Sequence, residues 1–174
     1  MTAQDAKRAQ EPVTPRELDW NTVYADQLPR IYNYFRFRAG RSHDVEELTA
    51  RTFEKAWRAR DRYRRDLAGF STWLFAIARN VLTDHLRAAA VRGRAAAWPD
   101  LTDQATPEGD AILGSDMARL ALLTAELPER HKELIALKYG ADLNNRLIAR
   151  ITGLTESNVG TTLQRIVERL RTQW

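Results

Sequence analysis

The sequence predicts an all-α protein of two small helical domains joined by a flexible linker, with a helix-turn-helix in the C-terminal one. Three observations carry that expectation. Apolar residues recur at three- and four-residue spacing along nearly the whole chain, and no convincing run of alternating strand residues interrupts them. The texture changes between about Arg87 and Asp110, where AAAVRGRAAAWPDLTDQATPEGD turns from Ala/Arg-rich to acidic and Pro-containing. Finally, RLIARITGL runs directly into TESNVGTTLQRIVERL, which reads as a helix, a tight turn and a second helix.

Residues 1–16, with Pro12 and Pro15 among charged and small residues, are expected to be a frayed, disordered tail. An N-terminal helical domain is then expected over 17–88. Its first part, DQLPRIYNYFRFRAG, supplies an aromatic-rich helix ending near Gly40. Asp44 is placed to cap a helix that turns Val45, Leu48, Phe53, Ala56 and Trp57 inward, and Ser71 to cap another with Leu74, Ile77, Ala78, Val81 and Leu82 as its buried stripe. The linker is assigned to 89–110, where two arginines stand against four acids. A C-terminal domain follows over 111–174, with Pro128 starting a helix at LPERHKELIALKYG. In its helix-turn-helix, Ile148, Ala149 and Ile151 face inward, Gly153 supplies the permissive turn, Leu154 plugs the junction, and Thr155 caps the second helix. Val159, Leu163, Ile166 and Leu170 form that helix's buried face. An ordinary helical hairpin is the alternative.

Composition narrows the function. Among 174 residues, 27 Lys and Arg against 23 Asp and Glu give a net charge of +4, a mildly basic balance compatible with nucleic acid as a partner. The absence of cysteine excludes disulfide scaffolds and cysteine-ligated zinc. Nothing approaches the roughly 20 apolar residues of a membrane span, so no membrane insertion and a soluble, cytoplasmic protein are expected. His43, His85 and His131 lie in separate elements without metal-ligand spacing, and no Gly-rich loop follows a strand. The expectation is a protein that is not an enzyme, with no cofactor, metal or small-molecule substrate.

Two stretches suit DNA. On the outward face of the second C-terminal helix stand Ser157, Asn158, Thr161, Thr162 and Arg165, side chains able to read base edges in a major groove. From Thr155 to Gln164 that helix has no Lys or Arg, and Glu156 adds a negative charge. Gly160 there is expected to be tolerated rather than required. The other stretch, AWRARDRYRRDLAGFSTWLFAIARNVLTDHLR, surrounds Tyr63 with Arg58, Arg60, Arg62, Arg64 and Arg65. Cations with an aromatic near a loop suit single-stranded DNA, and a solvated arginine-rich surface is the alternative. Trp73 and Phe75 are expected in the core.

Together these residues resemble the extracytoplasmic-function sigma factors, the smallest two-domain group of the sigma-70 family, over about residues 20–172. DVEELTARTFEKAWRARDRY resembles the helix that docks on the clamp of core RNA polymerase. FSTWLFAIARNVLTDHLR resembles the helix that helps capture the melted −10 element, and LPERHKELIALKYG with IARITGLTESNV and TLQRIVERLR resembles the −35-reading domain. The resemblance implies a factor that binds core polymerase and promoter DNA, promotes strand opening and leaves RNA synthesis to the polymerase. An anti-sigma protein is a further partner common in this group. By the same analogy Glu47, Leu48, Thr49, Ala50, Arg51, Phe53 and Trp57 contact polymerase. Arg62, Tyr63, Arg64, Arg65, Asp66, Asn80, Thr83 and Asp84 contact the −10 strand, and Ala76 and Ile77 occupy the place of the paired melting tryptophans of housekeeping relatives. Ser157, Asn158, Thr161, Thr162 and Arg165 read the −35 element, and the acidic linker threads toward the polymerase active site.

The chain departs from the family pattern in two places. Where the clamp helix usually reads L-T-Q-E-T-F, this chain has Leu48-Thr49-Ala50-Arg51-Thr52-Phe53, replacing one acid by a base. Where relatives commonly read V-K-S-R-L-H-R-A-R, it has V-G-T-T-L-Q-R-I-V, so Gly160, Thr162 and Val167 replace basic residues. Arg165, Arg169 and Arg171 are the only cations after Thr155, and weak −35 binding in the absence of polymerase is expected. Two other readings stand beside the sigma factor: a sigma-like interaction module that binds polymerase or a regulator without directing promoters, and a stand-alone helix-turn-helix repressor.

Overall fold

The computed structural model describes residues 19–40, 42–64, 69–93, 119–120 and 122–174, and every regular element among them is helical. The expected tail, the stretch 94–110 of the expected linker, and Arg65 and Asp66 lie outside the described residues. Helix α1 spans Trp20–Ala39, α2 Ser42–Ala59, α3 Phe70–Val91, α4 Glu129–Ile135, α5 Asn145–Thr152 and α6 Glu156–Gln173. A 3₁₀ turn at Arg60–Arg62 follows α2, and a π-helical turn at Ala136–Gly140 extends α4.

Helix α1 starts before the stretch that predicted it, because the Asp19 carboxylate caps it by accepting from the Asn21 N–H at 3.1 Å. It runs through Pro29, which sits on the exposed side, and stops at Gly40 with φ 74°, a left-handed value that glycine adopts without strain. Ile31, Tyr34 and Phe35 are wholly buried along it.

Two expected caps are corrected. Helix α2 already begins at Ser42, so Asp44 lies in its first turn, where its charge favours the positive helix end and comes within 3.9 Å of His85 Nε2. Helix α3 begins at Phe70 behind Gly69, and the Ser71 hydroxyl donates to Gln27 Oε1 at 3.4 Å instead of capping. Val45, Leu48, Phe53 and Ala56 turn inward as expected, but Trp57 is 49% exposed. The stripe Leu74, Ala78, Val81 and Leu82 is buried and Ile77 half-buried. Helix α3 also continues to Val91 with Ala89 buried, so the first residues assigned to the linker are helical.

The helix-turn-helix forms as its sequence dictates. Asn144 caps α5 by accepting from the Leu147 N–H at 2.9 Å, Gly153 ends it in the left-handed region at φ 74°, and Thr155 caps α6 by accepting from the Asn158 N–H at 3.2 Å. Ile148, Ile151, Val159, Leu163 and Ile166 are buried between α4, α5 and α6.

The two helical regions do not keep separate cores. Tyr34 and Phe35 of α1 and Leu74 and Phe75 of α3 belong to the same buried cluster as Leu134, Leu137, Leu143 and Ile148. The π-helical turn seats directly on α1: a Cβ added at Gly140 would lie 3.0 Å from both Asn33 O and Phe37 Cδ2.

Polar contacts close the same boundary. Arg38, with a side chain only 6% exposed, reaches Glu129 Oε2 through Nη2 at 2.9 Å, and its Nε faces Glu133 Oε2 at 3.3 Å without hydrogen-bond geometry. Burial raises the Glu129 carboxyl, but hydrogen bonds and charge from Lys132 and Arg38 outweigh it and hold the group below its ordinary value.

Two outcomes follow for stability. Thr155→Ala removes the α6 cap and is expected to cost about 1 kcal/mol in urea unfolding, with Thr155→Ser close to the parent. Because the Glu129 value is depressed in the fold, its contribution is complete above the unfolded carboxyl value of about 4.3 and is lost as pH falls through the depressed one. Unfolding measured between pH 6 and pH 3 is expected to show a shallower acid loss in Glu129→Gln.

Candidate nucleic-acid and polymerase interface

Helix α2 divides into a packing face and an outer face. Glu47, Ala50, Arg51 and Trp57 are exposed, and with Glu54 and Arg58 they line one side at helical spacing. Glu54 and Arg58 pair at 2.6 Å along this face. Trp57 stands at its end with its ring edge-on to Trp20 at 5.3 Å and the Arg60 guanidinium 4.2 Å from its centroid, so an indole is held outward by an aromatic and a cation. Leu48, Thr49 and Phe53 are corrected to the packing face. They are 2%, 5% and 8% exposed, and the Thr49 hydroxyl is occupied by the Val45 carbonyl at 2.7 Å.

The arginine-rich turn after α2 also needs correction. Tyr63 is only 4% exposed, and its ring packs against Phe70 at 5.6 Å and Trp73 at 5.0 Å, so it has no face to offer a base. It anchors the turn. Arg62 and Arg64 are exposed beside it, while Arg65 and Asp66 lie outside the described residues. Phe75 is wholly buried and Trp73 half-buried, in keeping with the core assignment.

On α3, Asn80, Thr83 and Asp84 are brought together on the exposed side. The Thr83 hydroxyl donates to Arg79 O at 2.8 Å, and Asp84 lies 3.8 Å from Lys55 of α2, which ties the α2 and α3 surfaces electrostatically. Ala76 is exposed one turn earlier.

The outer face of α6 holds all five expected readers. Ser157, Asn158, Thr161 and Arg165 are exposed, and half-buried Thr162 donates its hydroxyl to Asn158 Oδ1 at 3.0 Å. Gly160 sits where an added Cβ would make only ordinary contact with Asn145 Nδ2 at 3.4 Å, so tolerance explains it. The exposed Arg146 and Arg150 of α5 flank this helix-turn-helix. They supply cations that a count along α6 alone overlooks.

Sequence reasoning also missed Arg79 and Glu133. Arg79, immediately before Asn80, is the one charge in FSTWLFAIARN, and Glu133 precedes the apolar Leu134 and Ile135. For Arg79 a lone charge beside a buried stripe was the available signal, whereas Glu133 ends the charged run from Glu129 and carries no such signal.

Among the described residues no group of His, Asp and Glu is arranged to hold a metal ion, and no helix is long and apolar enough to cross a membrane.

Comparison with known proteins is consistent across sequence and fold. Residues 23–92 match the model of sigma-70 region 2 and residues 117–170 that of sigma-70 region 4. The chain is 30% identical over 154 residues to the ECF RNA polymerase sigma factor ShbA of Streptomyces griseus, covering 82% of this chain and 81% of ShbA. It is 29% identical over 153 residues to the ECF sigma factor BldN of Streptomyces coelicolor, covering 85% of this chain and 57% of BldN. In fold it is similar to the sigma factor RpoE solved with the anti-sigma factor NepR from Bartonella quintana, with a TM-score of 0.68 at 19% identity over 88% of this chain and 95% of that one. It is also similar to CnrH solved with the cytosolic domain of CnrY, with a TM-score of 0.65 at 22% identity over 88% and 86%. With both conserved regions in order and a relative at this identity matched over most of its length, the chain belongs to the ECF sigma factors of the sigma-70 family.

Proposed function

We propose that this chain directs RNA polymerase to promoters by dividing the work among three exposed surfaces. Core polymerase docks on the outer face of α2 through Glu47, Ala50, Arg51 and the outward Trp57, with Leu48, Thr49 and Phe53 shaping that face from beneath. Asn80, Thr83 and Asp84, with Arg62 and Arg64 at the neighbouring turn, hold the separated −10 strand, where exposed polar side chains take base edges and cations take phosphate. Ser157, Asn158, Thr161, Thr162 and Arg165 discriminate the −35 duplex in the major groove. Polymerase makes the RNA; this chain supplies recognition and strand capture, works in the cytoplasm, and is not an enzyme. An anti-sigma protein is a third partner, proposed on family grounds.

The observation that carries this reading is the coexistence, on one chain, of two exposed polar clusters, Asn80–Thr83–Asp84 and Ser157–Asn158–Thr161–Arg165, each on a helix whose opposite face is locked in the core. A repressor needs only the second cluster. An interaction module needs neither.

The modest basicity of α6 fits this division. Tethering both readers to one polymerase raises the effective concentration of each at its element, so α6 can discriminate without holding DNA by itself. Arg51 is exposed on α2, so a base in place of the acid of the L-T-Q-E-T-F pattern changes the charge of the proposed polymerase face without disturbing the helix.

Reconstitution with core polymerase tests the proposal. Promoter-specific transcripts from genomic fragments are expected. Asn80→Ala with Asp84→Ala is expected to lower open-complex formation at least tenfold while gel filtration shows undiminished core binding. Core binding without specific transcripts would favour the interaction module, and sequence-specific DNA binding without polymerase the repressor.

A further inference from the structure

In the first turn of α6 the Asn158 side chain is exposed, while its backbone N–H is already taken by the Thr155 cap at 3.2 Å. One turn further on, the half-buried Thr162 donates its hydroxyl to Asn158 Oδ1 at 3.0 Å. Other helical threonines of this chain spend the hydroxyl differently. Thr49, Thr52, Thr83, Thr152 and Thr172 each donate to the backbone carbonyl four residues back, at 2.7–2.9 Å, the local bond that a hydroxyl inside a helix ordinarily makes. Thr162 passes over the carbonyl of Asn158 and bonds to its side chain instead.

That bond gives the amide a direction. Asparagine carries one acceptor, Oδ1, and two donors on Nδ2, and base edges in the major groove differ in which of these they can meet. With Oδ1 turned onto a hydroxyl of its own helix, Nδ2 is the end left without a partner among the described residues. Adenine presents the N7 acceptor beside an amino donor, and pairs with asparagine by using Oδ1 and Nδ2 together. Guanine presents two acceptors, N7 and O6, and thymine one, O4. An amide whose oxygen is held suits guanine or thymine, and meets the amino group of adenine or cytosine donor against donor.

Thr162 stands where the V-K-S-R-L-H-R-A-R pattern has an arginine. A cation there would serve phosphate, which positions a helix but carries no sequence information. The threonine gives up that contact and fixes a neighbouring reader. Ser157 and Thr161 carry hydroxyls that donate or accept as the base requires, so Asn158 is the polar reader whose preference the helix itself sets.

We propose that Thr162 is a positioning residue for base recognition: it holds the Asn158 amide with its N–H donors toward the duplex, so that Asn158 selects guanine or thymine and rejects adenine. The proposal rests on the reading of the −35 element by α6 and names the bases that one of its readers takes.

The full chain assembled with core polymerase is offered a promoter library randomised across the −35 element, and the bound DNA is sequenced. Asn158→Ala identifies the position that Asn158 reads, as the one where selection collapses. There the parent is expected to enrich guanine or thymine over adenine by about fivefold or more. Thr162→Val keeps the β-branched shape without the hydroxyl, frees the amide to turn over, and is expected to bring that ratio below about twofold. Thr162→Ala is expected to do the same and Thr162→Ser to keep the parent ratio. Selection at the other positions, core binding and helicity by circular dichroism are expected to stay at the parent level in all three Thr162 variants.

Adenine or cytosine enriched by the parent at that position overturns the proposal, and so does an Asn158→Ala variant that keeps selection everywhere. A ratio that Thr162→Val and Thr162→Ala leave unchanged, or that Thr162→Ser loses as fully as they do, overturns it as well. A parent that selects nothing across the −35 element overturns the reading of α6 on which the proposal rests, whereas selection that ignores Thr162 overturns the proposal alone.

Discussion

A nearly buried carboxylate surrounded by two guanidinium groups and a phenol is the interaction on which the arrangement of this molecule depends. Glu133 belongs to the C-terminal region, and Tyr34, Arg38 and Arg79 to the N-terminal one. Taking such charges out of water is costly, and a buried ion pair is weak evidence for stability by itself. What it supplies is specificity of docking: apolar surfaces slide, whereas a carboxylate that accepts from Tyr34 and Arg79 with the Arg38 charge beside it permits one register. The shared core of Tyr34, Phe35, Phe75, Leu134 and Leu137 supplies the attraction, and Glu133 selects the geometry.

The same separation of labour runs through the surfaces. Each proposed contact face is the outer side of a helix whose inner side is fully packed, so polar readers are presented on a rigid support. Leu48, Thr49 and Phe53 show how this works on α2: residues of a motif that resembles a docking helix are buried, and they act by setting which neighbours point outward. Tyr63 does likewise for the arginine turn, where ring packing against Phe70 and Trp73 fixes the backbone that carries Arg62 and Arg64.

Much of this was legible in the chain. Periodicity identified the inner faces of α2, α3 and α6, and the Thr155 and Gly153 signals placed the helix-turn-helix to the residue, because caps and left-handed glycines are local chemistry. The Asp44 and Ser71 caps were misplaced because the helices start earlier, α2 at Ser42 and α3 at Phe70 behind Gly69, and a polar residue in the sequence marks a helix start only to within a few positions. Trp57 was expected inward because hydropathy does not say that Trp20 and Arg60 hold an indole at the surface. Least legible was the docking of the two regions. It depends on Gly140 meeting α1 and on charges more than 50 residues apart, and no local pattern encodes such a meeting.

An account in which two readers on one chain engage two elements of the same promoter is tested most directly by where each reader touches DNA. Photo-crosslinking side chains placed at Ala76, one turn before Asn80, and at Gln164, beside Arg165, report this in the assembled polymerase complex. The account predicts crosslinks from position 76 to the single-stranded −10 element and from position 164 to the −35 duplex, about 25 base pairs apart on the same promoter. Crosslinks from both positions within one helical turn of each other, or from position 164 alone, would contradict it.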